Sequence, residues 1–276
     1  MQNIPREGKT QADMGLPSLT VSTGNGKISG TSEPSEGDVP RPTVPHSATP
    51  GLMDTVDFLA GVPLFSGLDD AELQQFGELT RERTFPKGSV ILSQGDPGDS
   101  LFVVRDGRVK VVLIGEDGRE VILGMLGSGD HFGELSLIDS RPRSAHVIAV
   151  QESSLLVLRR EDFRRRVEAS AAVAWSLLGE LSRRLRRADE QIGGLVLLDV
   201  NGRIARLLLD NAAADGNGTI EKKLTHQTIA QMIGASRETV SRAMRDFQER
   251  GLIDVKHRQI TITDRVRLEG MAQAHG

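Results

Sequence analysis

The sequence predicts a chain of the α+β class, in which an antiparallel β-roll or sandwich is followed by a long helix and a smaller helical unit. Three observations support this class. Short β-branched runs recur about every eight to twelve residues through the first half, a helical period runs from residue 161 to about residue 198, and two helix patterns joined by a glycine turn stand near the C-terminus. With 276 residues the chain is long enough for two modest domains.

The first fifty residues are poor in apolar side chains and rich in residues that favour turns. Seven of the eleven prolines fall there, among Gly, Ser and Thr, and almost no apolar residues recur at a helix or strand period. Such a segment cannot bury enough apolar surface to offset the entropy of ordering it. We therefore predict that residues 1–50 form a disordered extension, with a docking motif that folds on binding as the alternative.

Residues 51–160 are predicted to form the β-roll. Short amphipathic helices precede it, from residue 52 to about residue 76, and Asp69 and Asp70 are acids of the kind preferred at a helix start. The runs SVIL, LFVV, VKVVLI and EVILGML then alternate with Gly and Asp turns, and VIAVQESSLLVLRR adds two more strands. Strands at this spacing are typical of a compact antiparallel roll.

The helical period over residues 161–198 predicts a dimerisation helix. Apolar or small residues alternate at spacings of three and four along it, and we call this set the seam: Ala171, Ala174, Leu178, Leu181, Leu185, Ala188, Ile192 and Leu195. This spacing is typical of the a and d positions between two packed helices. We therefore predict a homodimer, against the alternative of a long helix that lies on its own domain.

Residues 199–276 are predicted to form the second domain. Asp199, Asn201 and Gly202 interrupt the long helix, and Asp199 or Asn201 can cap the next one, so a hinge is expected there. GLIDVKHRQITIT, near the end, predicts a small hairpin. Residues 201–276 carry twelve Lys and Arg against nine Asp and Glu, in a chain of net charge −4. The local excess favours a polyanionic partner for this domain.

The stretch LTHQTIAQMIGASRETVSRAMRDFQERGLI predicts a helix-turn-helix. Thr225 and Ser236 stand where the two helices need N-caps, with Gly234 at the turn. The second helix of such a motif enters the major groove, where an arginine matches guanine and a carboxylate can accept from cytosine. The alternative is a three-helix bundle with a charged surface. We predict that DNA is bound by residues at the two helix starts: Thr225, His226, Gln227, Ser236, Arg237, Glu238, Thr239, Ser241 and Arg242.

The segment FGELSLIDSRPRSAH, residues 132–146, predicts an anion site. A catalytic role for Glu134 and Arg143 would need a tuned base beside a nucleophile or an activated water, and the segment offers none. A surface salt bridge would not explain the small residues Ser144 and Ala145. Backbone N–H groups at a short helix start, a guanidinium group and a hydroxyl can together bind a phosphate, while the acid accepts a sugar hydroxyl.

Several classes of site are excluded or disfavoured. The chain has no cysteine, which excludes disulfides, thiolate zinc sites, iron–sulfur clusters and cysteine nucleophiles. His131 and His146 flank the anion site without a second ligand at metal-binding spacing, and GSGDHFG has one residue too many for a dinucleotide loop and lies in no βαβ unit. We predict a protein that is not an enzyme and that holds neither metal nor prosthetic group.

The sequence also bears on the protein's location. It contains no apolar run of transmembrane length, and its first thirty residues lack the apolar core of a secretory signal. We therefore expect a cytoplasmic protein without a membrane partner.

These features resemble those of the cyclic-AMP receptor protein and fumarate–nitrate regulator superfamily of bacterial transcription factors, over about residues 55–265. Three motifs in the right order support the resemblance. Gly133, Glu134 and Leu135 followed by Arg143, Ser144 and Ala145 are similar to the family's phosphate-binding cassette, and we call these six residues the cassette. RRLRRADEQIGGLVLLDVNGRIAR is similar to the dimer helix and hinge, and SRETVSR to the recognition helix.

The resemblance implies a β-roll of the cyclic-nucleotide-binding type, a long dimerisation helix and a winged helix-turn-helix domain. It places Glu134 on the ribose 2′-hydroxyl of the ligand, and Arg143 and Ser144 on its cyclic phosphate. It places Arg237, Glu238 and Arg242 on the bases of a palindromic operator with TGTGA-like half-sites. RNA polymerase is a further implied partner, and the family position of NAAADGNGTIEKK makes that segment a candidate for contacting it.

The identity of the ligand's base depends on the dimerisation helix. Where family members that bind cyclic AMP usually offer hydroxyl or amide side chains, this sequence has Ala188 and Asp189, which we add to the ligand site. A carboxylate is an acceptor only and suits the adjacent donors of guanine, unless Asp189 pairs with Arg186 or with an arginine across the dimer. We predict cyclic AMP first, and cyclic GMP or cyclic di-GMP second. A ligand-independent DNA-binding regulator is the alternative function, and a cyclic-nucleotide-regulated enzyme a weaker one.

Overall fold

The computed structural model describes residues 52–215, 219–220, 224–257 and 259–273. The predicted disordered extension, residues 1–50, lies outside the described residues, as do residues 216–218 and 221–223 of NAAADGNGTIEKK. Within the described ranges, no helix has the length and hydropathy needed to cross a membrane.

Three short helical elements precede the roll: α1 (Leu52–Ala60), a 3-10 helix (Pro63–Phe65) and α2 (Asp70–Leu79). Asp69 caps α2, because its carboxylate accepts from the backbone N–H of Glu72 over 2.8 Å. The carboxylate of Glu72 accepts from the N–H of Asp69 over 3.2 Å. This reciprocal capping box satisfies two N–H groups that the first turn of a helix leaves free. The predicted helix start at these acids is therefore confirmed.

Eight strands form two antiparallel four-stranded sheets, in the orders β1-β8-β3-β6 and β2-β7-β4-β5. The strands are β1 (Arg81–Phe85), β2 (Val90–Leu92), β3 (Ser100–Asp106), β4 (Val109–Ile114), β5 (Glu120–Leu126), β6 (His131–Phe132), β7 (His146–Ala149) and β8 (Ser153–Arg159). A short helix, α3 (Glu134–Asp139), lies between β6 and β7. The six predicted strands are present. β1, with three charged side chains, and β6, with two residues, were not predicted because neither has an apolar run.

The roll has two apolar cores, one on each face of the first sheet. Between the sheets, the buried rings of Phe102 and Phe132 stack with centroids 5.1 Å apart. On the other face of β3, Leu101 and Val103 pack with side chains of the N-terminal helices, among them Phe65. Strand alternation thus sends successive residues of β3 into different cores.

The helix predicted over residues 161–198 consists of two helices, α4 (Arg160–Ala169) and α5 (Ala171–Leu197). Between them, Ser170 has an extended backbone, with φ −124° and ψ 112°. Phe163 of α4 and Val173 and Leu177 of α5 are all buried in the core beneath the first sheet, which the change of direction permits. The sequence has neither Gly nor Pro at the break, so the apolar period contains no stop signal.

The C-terminal part contains four helices and a three-stranded sheet of order β10-β11-β9. The elements are α6 (Val200–Asp215), β9 (Thr219–Ile220), α7 (His226–Ile233), α8 (Arg237–Glu249), β10 (Ile253–Lys256), β11 (Gln259–Ile262) and α9 (Arg265–Gln273). Its core includes the fully buried Leu208, Val240 and Phe247. At the predicted hinge, Asp199 accepts from the N–H of Gly202 over 2.7 Å, so Asp199 supplies the cap.

Candidate functional site

The cassette begins at a glycine that the local geometry requires. Gly133 links β6 to α3 with φ 88°, a left-handed conformation that residues with a Cβ rarely adopt. A Cβ there would lie 2.8 Å from Nη1 of Arg143 and 3.0 Å from the carbonyl oxygen of Ser100. The glycine therefore allows the Arg143 guanidinium to approach the backbone closely.

Arg143 is buried, with 4 % of its surface exposed. Its Nη1 donates to the carbonyl of Gly133 over 2.7 Å, and its Nη2 to the carbonyl of Ser100 over 2.8 Å. Burial lowers the pKa of this guanidinium, and the carboxylate of Asp99, 4.0 Å from Nη2, opposes that effect. The Nε atom is buried and has no hydrogen-bond partner among the described residues.

Glu134 is only 2 % exposed, and its partner comes from the long helix. Its Oε1 accepts from Nη1 of Arg184 over 2.9 Å. Burial raises the pKa of the Glu134 carboxyl, and the positive charge of Arg184 partly counteracts this. The second oxygen, Oε2, is buried and accepts no hydrogen bond from any residue that the structure describes. Nη2 of Arg184 also donates to the backbone carbonyl of His131 over 2.5 Å, so this one side chain joins α5 to both ends of the β6–α3 corner.

Arg184 was missed in the sequence, where it is one of four arginines in RRLRR. A signal was available in the helical spacing. Val173 and Leu177 are buried against the roll and Leu181 is partly buried there, so the same helix face continues to position 184. The other arginines of that run, Arg183, Arg186 and Arg187, are exposed.

The other cassette residues occupy different environments. Ala145 is buried, whereas the side chains of Leu135 and Ser144 are exposed. On α5, Ala188 is partly buried and Asp189 is exposed. Among the described residues, no ion pair joins Asp189 to Arg186. The structure thus brings Gly133, Glu134 and Arg143 together, and it leaves Asp189 on the outer surface of the long helix.

The two histidines beside the cassette, His131 and His146, have different environments. His131 is 3 % exposed, and its Nε2 has no hydrogen-bond partner within the described ranges. Burial, with the positive charge of Arg184, lowers its pKa to about 4. His146 accepts the N–H of Gln94 at its Nδ1 over 3.3 Å. In the part of the chain that the structure describes, no three His, Asp or Glu residues are arranged to hold a metal ion.

The seam is largely uncovered along α5. Leu178, Leu185 and Ile192, spaced seven residues apart, are 52 %, 64 % and 59 % exposed. Trp175, one turn before the first of them, is 74 % exposed. Asp189 lies within this surface, since it follows Leu185 by four residues and precedes Ile192 by three. One face of α5 packs on its own roll, as the alternative interpretation expected. The seam residues on another face are exposed, and the homodimer stays a prediction.

The helix-turn-helix has the predicted caps. The hydroxyl of Thr225 accepts from the N–H of Thr228 over 3.0 Å, and that of Ser236 from the N–H of Thr239 over 3.1 Å. At the turn, Gly234 has the left-handed φ of 66°. These bonds fix where each helix starts.

The start of α8 presents the predicted DNA-contacting side chains. Arg237, Glu238 and Arg242 are exposed, and Ser241 is partly exposed. Ser241 also forms a 2.7 Å hydrogen bond with Nδ1 of His226, which links the starts of the two helices. Hydrogen bonds to the backbone at the helix start and to Ser236 lower the pKa of Glu238, so the carboxylate remains charged and able to accept.

Sequence reasoning missed one exposed residue of this surface. Arg245 lies one turn beyond Ser241, on the same side of α8. The spacing of four from Arg237 through Ser241 to Arg245 was the available signal. Gln227 is exposed and Thr239 is partly buried.

Comparison with known proteins agrees with this two-part organisation. Residues 82–170 match the family described as "Cyclic nucleotide-binding domain", and residues 202–271 match the "Crp-like helix-turn-helix domain". The CRP-like cAMP-activated global transcriptional regulator of Mycobacterium tuberculosis is 33% identical over 222 residues, which cover 79% of this chain and 99% of that protein. The cyclic AMP receptor protein of Thermus thermophilus is 35% identical over 214 residues, with 78% and 98% covered.

Solved structures show the same fold. The c-di-GMP responsive global regulator CLP of Xanthomonas campestris superposes with a TM-score of 0.63 at 25% identity, over 70% of this chain and 99% of that one. FixK2 of Bradyrhizobium japonicum superposes with a TM-score of 0.64 at 24% identity, over 71% and 99%. The chain therefore belongs to the cyclic-AMP receptor protein and fumarate–nitrate regulator superfamily of bacterial transcription factors.

Proposed function

We propose that this protein is a homodimeric transcription regulator whose binding to operator DNA is controlled by a cyclic nucleotide held at the cassette. One observation supports the assignment of a cyclic nucleotide as the ligand. Within the part of the chain that the structure describes, the cassette contains a buried donor without an acceptor, Nε of Arg143, and a buried acceptor without a donor, Oε2 of Glu134. Unpartnered buried polar atoms are rare in folded proteins because each costs about 1–3 kcal/mol.

A cyclic nucleotide supplies both missing partners. Its ribose 2′-hydroxyl can donate to Oε2 of Glu134, and an oxygen of the adjacent cyclic phosphate can accept from Arg143. A charge-assisted hydrogen bond to a buried guanidinium is stronger than one between neutral groups. The exposed hydroxyl of Ser144 is available for a further phosphate contact. We therefore assign Glu134 to the sugar and Arg143 and Ser144 to the phosphate.

Binding at this site would act on the long helix through Arg184. Both unpartnered atoms are closed to solvent, and the Arg184 side chain lies over Glu134, where it is 29 % exposed. A ligand that reaches Glu134 must therefore shift Arg184 or share the carboxylate with it. Either change alters a contact between the roll and α5, so ligand affinity becomes coupled to the position of that helix.

The free face of α5 supports the homodimer. Three aliphatic side chains at heptad spacing, each more than half exposed, would pack in knobs-into-holes fashion against the same residues of a second copy. A two-fold axis along this seam would then relate two recognition helices. Such a dimer binds a palindrome with half-site centres about 34–36 Å apart.

The proposal also concerns which base the bound nucleotide carries. Relatives from Mycobacterium tuberculosis and Thermus thermophilus are described as cAMP-activated or as a cyclic AMP receptor, which favours cyclic AMP. The structural relative from Xanthomonas campestris is described as c-di-GMP responsive. Asp189 lies among the exposed seam residues, where it would face the partner subunit, so a guanine ligand is the second choice.

The remaining assignments follow from the family. Its members regulate transcription, so we infer a protein without catalytic activity that works in the cytoplasm and has RNA polymerase as a partner. We assign the DNA contacts to Arg237, Glu238 and Arg242 at the start of α8, with Thr225, His226, Gln227 and Ser236 near the phosphate backbone.

A ligand-binding experiment tests the proposal. Isothermal titration of the full-length protein with cyclic AMP, cyclic GMP and cyclic di-GMP should give binding for at least one, and the ligand should raise the unfolding temperature. Glu134→Gln should weaken that ligand at least tenfold, because a buried neutral amide accepts from the ribose hydroxyl less strongly than a carboxylate does and loses the ion pair with Arg184. Glu116→Gln, an exposed acid on the β4–β5 turn, is the control. Operator binding without binding of any nucleotide would instead establish a ligand-independent regulator.

A further inference from the structure

The outward surface of α7 lies against the roll of the same chain. α7 contacts β5, and Nε2 of Gln231 donates to Oε2 of Glu120 over 3.0 Å. The ammonium group of Lys110, on β4, forms an ion pair with the same carboxylate oxygen. The side chains of Lys110 and Glu120 are 20 % and 26 % exposed. The hydrogen bond to this charged acceptor is therefore largely shielded from water, where it is stronger than a surface contact.

This contact uses a surface of α7 that the helix-turn-helix core does not need. Ile229 and Ile233 of α7 are buried within the C-terminal core, whereas Thr228 and Gln231 lie on the other side of the helix. Together with residues of the roll they border a cavity of about 280 Å³, whose apolar walls include Ile122, Met125 and Ile148. Gln231, which donates to Glu120, lies at the edge of this cavity.

The DNA-contacting surface remains open while α7 is docked. Arg237, Glu238 and Arg242 are exposed, and Gln227, one turn before Gln231, is exposed as well. A contact that masked the domain would cover these side chains. A contact that anchors the domain and leaves them exposed fixes the direction in which they point.

We propose that Gln231 and Glu120 are positioning residues for operator binding, and that their hydrogen bond, supported by Lys110, sets the angle at which the roll presents the helix-turn-helix. This inference rests on the proposed function. In a dimer, the angle of each DNA-binding domain decides which separation of half-sites both recognition helices can reach together. Loss of the contact should therefore loosen the preference for half-site spacing and also weaken binding.

The test compares the wild type with Glu120→Ala, Gln231→Ala and the double variant. Fluorescence anisotropy measures binding to three palindromes of TGTGA half-sites, one with the best spacing and two with one base pair more or fewer, with and without cyclic AMP. Each single variant should lose about fivefold affinity for the best-spaced palindrome, the effect of one hydrogen bond. The double variant should lose no more than either single one. The ratio of affinities between the best and the altered spacings should fall in all three.

Two matched variants distinguish loss of the contact with α7 from the general effect of removing a charge from the hairpin. Glu116→Ala removes the same charge from the same hairpin at an exposed position away from α7, and it should keep the wild-type spacing preference. Glu120→Gln retains an oxygen that accepts from Gln231, so it should keep most of that preference. An unchanged preference in Glu120→Ala and Gln231→Ala, or losses that add in the double variant, would refute the direct contact. Tighter binding by these variants would make the contact inhibitory and overturn its positioning role. A wild type that binds none of the palindromes would overturn the proposed function, and this inference with it.

Discussion

Replacement of Arg184 by alanine should destabilise the roll far more than replacement of its neighbour Arg183. Without Arg184, Glu134 remains a buried carboxylate deprived of its ion-pair partner, and the carbonyl of His131 loses a donor. Removal of one partner of a buried pair costs about 3–5 kcal/mol. Because the Arg184 side chain is 29 % exposed, water can replace part of the interaction, and we expect a loss of about 2–3 kcal/mol.

The loss should depend on pH in a definite direction. Burial already raises the pKa of Glu134, and removal of the Arg184 charge raises it further. A carboxyl with a raised pKa stays protonated in the folded state while the unfolded chain ionises, so the variant is penalised above the unfolded pKa. The difference in unfolding free energy between the wild type and Arg184→Ala should therefore be larger at pH 7 than at pH 5.

Urea unfolding at one fixed protein concentration measures this difference. The chain has a single tryptophan, Trp175 on α5, whose fluorescence reports on this region. Arg183→Ala is the control, since Arg183 is half exposed and pairs with Glu180, and we expect a change within about 0.5 kcal/mol. Glu134→Gln combined with Arg184→Ala should recover part of the loss, because no charge is then left buried. Equal stability of the two alanine variants, or no recovery in the double variant, would show that Glu134 does not depend on Arg184.

Four further outcomes are expected. Leu185→Glu places a charge in the seam and should yield monomers in analytical ultracentrifugation, whereas a dimeric variant would disprove the seam. Arg237→Ala should lose about 1–3 kcal/mol and relax preference at one guanine position per half-site, and equal weakening on all sequences would identify a phosphate contact. In the folded protein the pKa of His131 is lowered to about 4. As the pH falls, His131 is therefore protonated in the unfolded chain at a higher pH than in the folded protein. The stability that neutral His131 contributes is lost as pH falls from 6.5 to about 4, by at most about 3 kcal/mol, and His131→Gln should flatten the stability profile over that range. Removal of residues 2–50 should leave cooperative unfolding and operator binding intact, and a loss of either would show that the extension docks.

The elements that could be predicted from the sequence are those with local signals. The β-branched runs predict six strands of the roll, and the caps at Asp69, Thr225 and Ser236 fix three helix starts, because cap, turn and apolar face all lie within a few residues of each other. Glu134 and Arg143 could be assigned to one site from the sequence because they are only nine residues apart.

Features that depend on distant residues could not be predicted in this way. Glu134 and Arg184 are 50 residues apart, and Gln231 and Glu120 are 111 apart. The helical spacing indicates that Arg184 faces the roll, but nothing in the local sequence around either residue of a pair identifies its partner. The break at Ser170 is similar, because it is set by the packing of two helices on one core and not by a residue that breaks helices.

Arg143 has a structural task that is separate from any ligand. Two of its N–H groups satisfy the backbone carbonyls of Gly133 and Ser100, so the side chain ties β3 to the corner that precedes α3. A change at this position therefore destabilises the fold of the roll at the same time as it removes the proposed contact to an anion. Asp189 is exposed on the long helix, so a substitution there should have little effect on the stability of the roll. In the proposed ligand site, substitutions on the helix can therefore change which base is preferred, whereas the proposed contacts to sugar and phosphate are tied to the stability of the domain.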